Sequence, residues 1–350
     1  MKKFSKFVLA TLLCTVVSPL AQAKDSFRAA WSHYTGWEPW QYAADSGILK
    51  KWADQYNIEI TLTLVNDYIE SINLYTAGKF DACTMTNMDA LAIPCVGGVD
   101  STALIVGDFS NGNDGIIAKN ATKMQDLKGR QVNLVELSVS HYLLARELEK
   151  NGLKESDVKI VNTSDADIGN LFASSKDPNA AIVTWNPLLM QARNVSGAQL
   201  ITDSSAIPGE IIDLMVVKTN SDIRFKKALV GAWYETMALM SSRSKEGKEA
   251  IAAMAKTAGG TEQEFKAQLR TTKMFYSAVE ALAFIKGEDL KKTMDQVRTF
   301  SFQHGLYGEG AASKDLVGIE FADKSIMGNK AFIKLRFNAE LTALAAENKL

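Results

Sequence analysis

Residues 58–85 read IEITLTLVNDYIESINLYTAGKFDACTM, and this stretch holds a strand, a helix and a second strand in succession. Ile58, Ile60, Leu62 and Leu64 alternate with polar residues, the period-2 pattern of a half-buried strand. Glu70 to Thr76 reads as a short helix closed by Gly78, and Phe80 to Met85 as the next strand. A helix between two strands carries the chain back to where it started, so the strands it joins lie parallel.

The same alternation extends in both directions. Upstream, Phe27 to Trp31 is a strand and Ser32 to Gly36 a loop. A helix then starts around Pro39, whose missing N–H suits a first turn, and ends at Gly47. Downstream, Thr86 or Asn87 caps a helix that runs through Ala92 and ends near Pro94, and Thr102 to Val106 is a further apolar strand. The polar run Ser110-Asn111-Gly112-Asn113 is a crossing point into a second unit. There Gln131–Val135, Val158–Val161 and Ala180–Thr184 read as strands. A helix capped by Ser140 runs to Lys150, another spans Asp167–Ala173, and Asn186-Pro187 opens a third. Ile211 to Val217 is a strand that crosses back, and from Asp222 onward the pattern is helical. The expected fold is α/β with two lobes, each a mostly parallel sheet flanked by helices, and a hinge between them. Lobe 1 is discontinuous, residues 24–109 and 215–350, and lobe 2 is residues 110–214, an insertion of about 100 residues.

Residues 1–23 are expected to be a cleavable signal peptide. Lys2, Lys3 and Lys6 precede an apolar run from Phe7 to Leu20, and Ala21-Gln22-Ala23 is a small-x-small cleavage site. The run falls short of the ~20 residues that span a bilayer, and Leu13 before Cys14 is not the small residue of a lipid-anchor site. Export places the mature chain in the periplasm. The chain has 350 residues, with 39 basic against 40 acidic side chains; losing the three leader lysines leaves a net charge of −4. That mildly acidic balance argues against a nucleic-acid partner. Cys83 and Cys95 stand either as a disulfide, which export permits, or as two small buried apolar side chains. Neither they nor His33, His141 and His304 show metal-ligand spacing, so no metal and no cofactor are expected, and the two histidines His141 and His304 read as having no special role. No Gly-x-Ser-x-Gly elbow, phosphate loop or zinc-helix motif is present, so the chain does not read as an enzyme.

Three segments carry a family resemblance: Ala43-Ala44-Asp45-Ser46-Gly47-Ile48-Leu49, Tyr75-Thr76-Ala77-Gly78-Lys79-Phe80-Asp81-Ala82, and Asp126-Leu127-Lys128-Gly129-Arg130. In order and spacing they resemble the sulfonate, taurine, nitrate and thiamine-precursor binding proteins of ABC importers. Trp37-Glu38-Pro39-Trp40 together with Met85-Thr86-Asn87-Met88-Asp89-Ala90 is similar to the branch associated with urea carboxylase-type enzymes. The resemblance implies a monomeric carrier that delivers a small molecule to a membrane permease and its ATPase. Within the branch it implies a nitrogen-rich ligand, guanidinium or urea.

The residues give their own reading of the site. In open α/β sheets ligands bind beyond the carboxyl ends of the strands. The loops there hold Glu70, Asp89, Asp108, Glu136 and Asp213 but no Lys or Arg, and they carry Tyr34, Trp37, Tyr68 and Trp185. Carboxylates with aromatic faces suit a cation. The candidate ligand-binding residues are Tyr34, Trp37, Glu70, Thr86, Asn87, Asp108, Glu136, Ser140, Trp185 and Asp213. Trp31, Trp40 and Tyr42 read as core. Three alternatives remain: a carrier of a small anion or zwitterion such as sulfonate, taurine or nitrate, or of a thiamine pyrimidine precursor; an enzyme on the same fold; and a sensory module for a membrane receptor.

Overall fold

The computed structural model describes residues 24–350; the expected signal peptide, with Cys14, lies outside the described residues. The architecture is α/β, with two sheets flanked by helices. The strands are β1 Asp25–Trp31, β2 Ile58–Leu64, β3 Ala82–Thr86, β4 Ser101–Ser110, β5 Asp114–Lys119, β6 Gln131–Leu134, β7 Lys159–Asn162, β8 Ala181–Trp185, β9 Ala198–Asp203, β10 Ile212–Lys218, β11 Thr272–Met274, β12 Gly318–Glu320, β13 Ile326–Met327 and β14 Ile333–Phe337. The larger sheet runs β13-β12-β14-β4-β10-β3-β1-β2, with β11 paired to β4; the smaller runs β7-β6-β8-β5-β9.

The stretch 58–85 folds as its pattern dictates. β2 pairs parallel with β1, β3 pairs parallel with β1, and the helix Tyr68–Thr76 crosses between β2 and β3. That helix starts earlier than Glu70 because Asp67 caps it, its side chain accepting from the Glu70 N–H. Glu38–Asp45 is helical with Pro39 in its first turn, and Gly47 takes φ +82°, where a side chain would be strained.

Three expectations need correction. The sheets are mixed rather than mostly parallel: β10 runs antiparallel to both β3 and β4, and β5 runs antiparallel to both β8 and β9. The cause is topological. β4 leads through the short turn 111–113 into β5, and β10 returns from the smaller sheet directly into the larger, so neither has a crossover helix to reverse it. Secondly, the region beyond Asp222 is not helical throughout. It supplies β11, β12, β13 and β14, which widen the larger sheet beyond β4; strands of two to five residues leave no readable periodicity. Thirdly, Ser140 is not the cap of its helix. Ser138 holds that place with extended backbone, its hydroxyl accepting from the Ser140 N–H at 3.1 Å, and Ser140 sits inside the first turn of Val139–Lys150.

One apolar core runs through both sheets, with Trp31, Trp40 and Trp233 among its largest members. Trp40 stacks on Trp233 at 5.0 Å, and Tyr42 packs partly buried against the same cluster. A second, small cluster of Ile117, Ile168, Phe172, Ile182, Leu189 and Ala192 lies under the smaller sheet. Cys83 and Cys95 are free and buried, which selects the second of the two readings of the pair; burial pushes the Cys83 thiol up to about 12. Among the described residues no helix is long and apolar enough to cross a membrane.

Candidate functional site

The ends of the strands meet at a small cavity where the two sheets face each other. Tyr34 and Trp37 reach it from the loop after β1, Tyr68 from the start of the helix after β2, and Thr86 from the end of β3. Trp185 comes from the end of β8 and Val139 from the first turn of its helix. The antiparallel strands supply the charge: Asp114 opens β5, and Asp213, beside Ile211, opens β10.

The aromatic side chains form a continuous wall. Tyr34 meets Trp37 edge-on at 5.0 Å, Trp37 lies 5.6 Å from Tyr68, and Tyr68 meets Trp185 edge-on at 5.7 Å. The last contact joins the larger sheet to the smaller, and hydrogen bonds repeat the junction. The Trp185 Nε1–H donates to the His33 carbonyl at 3.2 Å, the Tyr68 N–H to Asp165 Oδ1 at 3.2 Å, and the Ser164 hydroxyl to Asp67 Oδ2 at 2.7 Å.

Behind the wall lie buried acids. Asp89 accepts from the Tyr68 hydroxyl at 2.6 Å and from the Thr86 hydroxyl at 2.8 Å. The Thr86 N–H donates in turn to the Tyr68 oxygen, which fixes the direction of the Tyr68 O–H. Asp108 accepts from the Tyr34 hydroxyl at 2.9 Å and sits opposite Asp213 in the β4–β10 register. Asp108 Oδ2, Asp213 Oδ2 and Asp89 Oδ1 are buried and accept no hydrogen bond from any described residue. Desolvation raises all of these carboxyls: Asp89 to about 6, Asp108 and Asp114 each to about 7, and Asp213 well above the carboxylate range, the last driven further by Asp108. Burial, then Asp108 and Asp213, raises the Tyr34 phenol in the same sense. Among the described residues no Lys or Arg lines the cavity.

Gly36 makes room for this arrangement. A Cβ there would lie 2.4 Å from Asp108 Oδ2 and 2.6 Å from the Tyr34 ring, so only a glycine lets the carboxyl and the phenol meet.

Of the residues expected at the site, the structure brings Tyr34, Trp37, Thr86, Trp185 and Asp213 to the cavity, with Asp108 directly behind. Asn87 is buried beside it but holds backbone: its Oδ1 accepts from the Ile212 N–H and its Nδ2 donates to the Glu210 carbonyl, which pins the start of β10. Ser140 is buried with its hydroxyl unpaired among the described residues, next to Val139 rather than on the cavity wall. Glu70 and Glu136 stand apart, both exposed on an outer groove shared with Asp67 and Asp165. Two local features turn them away. Glu70 is at the third position of its helix, its backbone used by the Asp67 cap. After β6 the backbone reverses at Leu137, which takes φ +62°, and the turn leaves the Glu136 side chain in solvent.

Tyr68 was legible only as one aromatic among four, and Asp114 not at all. It follows Asn113 at the end of a polar run that reads as linker, and only the apolar Ile116-Ile117 after it marks a strand.

Among the described residues, the group of metal-ligating type whose ligand atoms come within 4.8 Å of one another is His141, Glu155 and His304. Its hydrogen bonds decide its character. The Leu137 N–H donates to His141 Nδ1 at 3.1 Å, so the ring proton is on Nε2, which donates to Glu155 Oε2 at 2.9 Å. His304 Nδ1 donates to the Phe300 carbonyl at 2.8 Å, and its Nε2 faces Glu155 Oε1 at 2.6 Å. A carboxylate accepts only, so His304 carries protons on both nitrogens. Burial opposes that charge, but the bonds to Glu155 and Phe300 outweigh it and raise His304, while the two imidazoles hold Glu155 down to about 2. The rings present N–H groups rather than lone pairs, so this is an ion-paired contact and not a ligand set.

The chain is similar in fold to solved solute-binding proteins. The periplasmic nitrate-binding protein NrtA from Synechocystis PCC 6803 matches with a TM-score of 0.67 at 10% identity, over 93% of this chain and 89% of that one. The alkanesulfonate-binding protein SsuA from Xanthomonas axonopodis pv. citri, bound to MOPS, matches at 0.61 and 16% identity, over 79% of this chain and 96% of that one. The aliphatic sulphonate binding protein SsuA from Escherichia coli matches at 0.58 and 19% identity, over 78% and 94%. At these identities the likeness speaks for the fold. No curated protein sequence matches significantly. The family model described as NMT1/THI5 like matches residues 57–235, which runs from β2 through the whole smaller sheet and β10 into the following helix. With more than half of the chain covered, the protein belongs to the NMT1/THI5-like family.

Proposed function

We propose that this protein is the extracytoplasmic solute-binding component of an ABC importer, and that it holds a small nitrogen-rich ligand, guanidinium or urea, in the cavity between two lobes. The lobes are residues 24–109 with 215–350, and residues 110–214, except that Ile212 to Leu214 already pair with β3 and β4 in the larger sheet; they close about the two crossings at 111–113 and 204–211. The reading makes the protein a periplasmic carrier rather than a catalyst, acting as a monomer with a permease and its ATPase. The observation that supports the ligand class is the wall of Tyr34, Trp37, Tyr68 and Trp185 around Asp114 and Asp213, with no basic side chain among the described lining residues.

The energetics suit such a ligand. A planar cation against an aromatic face gains ~0.5–2 kcal/mol, and each hydrogen bond to a carboxylate ~1.5–3 kcal/mol. Micromolar affinity needs ~8 kcal/mol, which three carboxylate bonds near the upper end of that range and an aromatic clamp reach after the costs of binding. The free space between the walls is small, so it suits a ligand of few heavy atoms. Tyr68–Asp165 and Trp185–His33 form only when the two lobes meet, so a ligand that touches both walls favours closure.

A second reading is a small anion or zwitterion, as the names of the nitrate- and sulfonate-binding neighbours describe for those proteins. Its support here is that Thr86 and Val139 bring two helix starts to the cavity, and helix N-termini attract anions.

A thermal-shift series on the mature protein separates the readings, with guanidinium chloride at or below millimolar, urea, taurine, nitrate and a thiamine pyrimidine, against matched chloride. A ligand at a hundred times its Kd stabilises by ~2.7 kcal/mol. Stabilisation by guanidinium or urea alone supports the acidic clamp; stabilisation by taurine or nitrate overturns it.

A further inference from the structure

The acids of the cavity are arranged as a pair, and the pairing bears on which ligand is taken. Asp108 on β4 and Asp213 on β10 are cross-strand partners in the same sheet, so they stay adjacent whether the lobes are open or closed. Both are buried, at 0% and 2% exposure. Tyr34 donates to one oxygen of Asp108, but the Oδ2 of each residue accepts from no described residue. Two carboxylates cannot hydrogen-bond to each other; a single proton between them supplies the missing donor. The groups that face the pair do not supply a countercharge. From the loop after β1 comes the neutral Tyr34, from β5 the acid Asp114, and from the loop after β11 the phenol of Tyr276; Thr86 on β3 lies opposite Asp213. Lys273 on β11 is exposed, while its neighbour Met274 is the residue opposite Asp108.

We infer that Asp108 and Asp213 hold one proton between them and release it when a cation enters, so that the pair selects guanidinium over neutral urea of the same shape. This rests on the reading of the cavity as a guanidinium or urea site. The exchange balances: the proton leaves to solvent, the ligand brings one positive charge, and the net charge of the buried pair with its occupant is unchanged. Urea brings no charge and leaves the proton in place. Guanidinium, like the arginine side chain, keeps its charge across the neutral range, so any pH dependence of its binding belongs to the protein. Asp213, raised well above the carboxylate range by burial and by Asp108, keeps the shared proton in place until the cation displaces it.

The test is isothermal titration calorimetry of the mature wild-type protein with guanidinium chloride and with urea. It is run from pH 5.5 to 8.5, in phosphate and in Tris, whose different ionisation heats count the protons released. The expected result is release of up to one proton with guanidinium near pH 7, and an affinity that falls towards tenfold per pH unit on acidification below the titration of the pair. Urea is expected to bind more weakly and to release none. The Asp213→Asn variant is expected to lose the proton release and most of the preference for guanidinium. Guanidinium binding with no proton release and a flat pH profile overturns the exchange while leaving the ligand reading intact. Binding of neither ligand at any pH overturns the reading of the cavity, and the exchange with it. Because the proton count uses the wild-type chain, the result does not depend on the variant folding.

Discussion

Where the larger sheet's elements meet those of the smaller, acids stand at two places, buried in the cavity and half-buried at Glu155, and they are held in opposite states. In the cavity, Asp108, Asp114 and Asp213 are raised by desolvation, with only hydroxyl donors at hand. At the contact between the helices Val139–Lys150 and Glu288–Gln303, Glu155 is held low by two imidazole N–H groups. There Phe300 packs edge-on against Tyr142 and His141, at 5.1 and 5.7 Å. What separates the two is the supply of charge-bearing donors and not depth alone. Glu155 has its cation built in; the cavity acids have none among the described residues. A contact that is complete in itself suits a structural role, and one that is incomplete suits a ligand.

The sharpest way to break this comparison is Asp213→Asn. At pH 8 it is expected to weaken guanidinium binding at least tenfold, ~1.4 kcal/mol. The same change is expected to leave the protein without ligand as stable or more so, read by calorimetric melting. The sign follows from the raised folded-state values: through Asp108 the native chain binds more protons than the unfolded one from about pH 4 to about 7, and Asp213, raised well above the carboxylate range, acts in the same sense, so stability falls as pH rises. A loss of both binding and stability would make Asp213 a structural acid like Glu155.

Gly36→Ala tests the same pair from the other side. Its Cβ falls within 2.4 Å of Asp108 Oδ2, so the carboxyl must move off the Tyr34 hydroxyl. A loss of ~1 kcal/mol in binding is expected, of the size of one such hydrogen bond, seen as a several-fold rise in Kd. An unchanged Kd would show that Asp108 does not need its present place.

Glu155→Gln addresses the other region. Its lowered carboxyl gives stability that is present above the unfolded value near 4.5 and lost as pH falls towards 2. The raised His304 gives stability present below about 6.5 and lost as pH rises through its folded value. Wild type is therefore expected to show its greatest contribution from this contact at about pH 5–6. The variant loses that maximum, by ~1 kcal/mol or less because the site is partly exposed, in thermal unfolding curves taken across pH. Guanidinium affinity at pH 8 should change little. Smallest of all is Glu136→Gln: with its side chain in solvent, Kd is expected to stay within twofold, and a larger change would return Glu136 to the site.

Much of the fold was legible because its signals are local. The alternation at 58–64, Pro39 in a first turn and Gly47 past the end of a helix each act within a few residues. β5 and β12–β14 were not, since a short strand inside a sheet is chosen by its neighbours rather than by its own pattern. The site divided along the same line. Asp108 and Asp213 stood out as charges in apolar strands, which burial alone makes notable. Glu70 and Glu136 had the right residue type near the right strand ends, but which way a loop turns its side chains is settled by caps and by the left-handed Leu137. The partnership of Glu155 with His304 spans 149 residues and had no signal in the sequence at all.

The place of β10 also governs how the chain reaches its shape. It lies in the middle of the larger sheet, between β3 and β4, yet it follows every strand of the smaller sheet in the chain. The five strands of the smaller sheet fall within residues 114–203, Gly115 with Asp203 being their most distant pairing, whereas β3 and β4 must wait for residues 212–218 before their facing edges are filled. Pairings so distant in sequence form late. A chain threaded through a membrane from its first residue would then carry an unfinished larger sheet until well over half its length had passed, and the acid pair, whose second member is Asp213, would come into being only after the route back was closed.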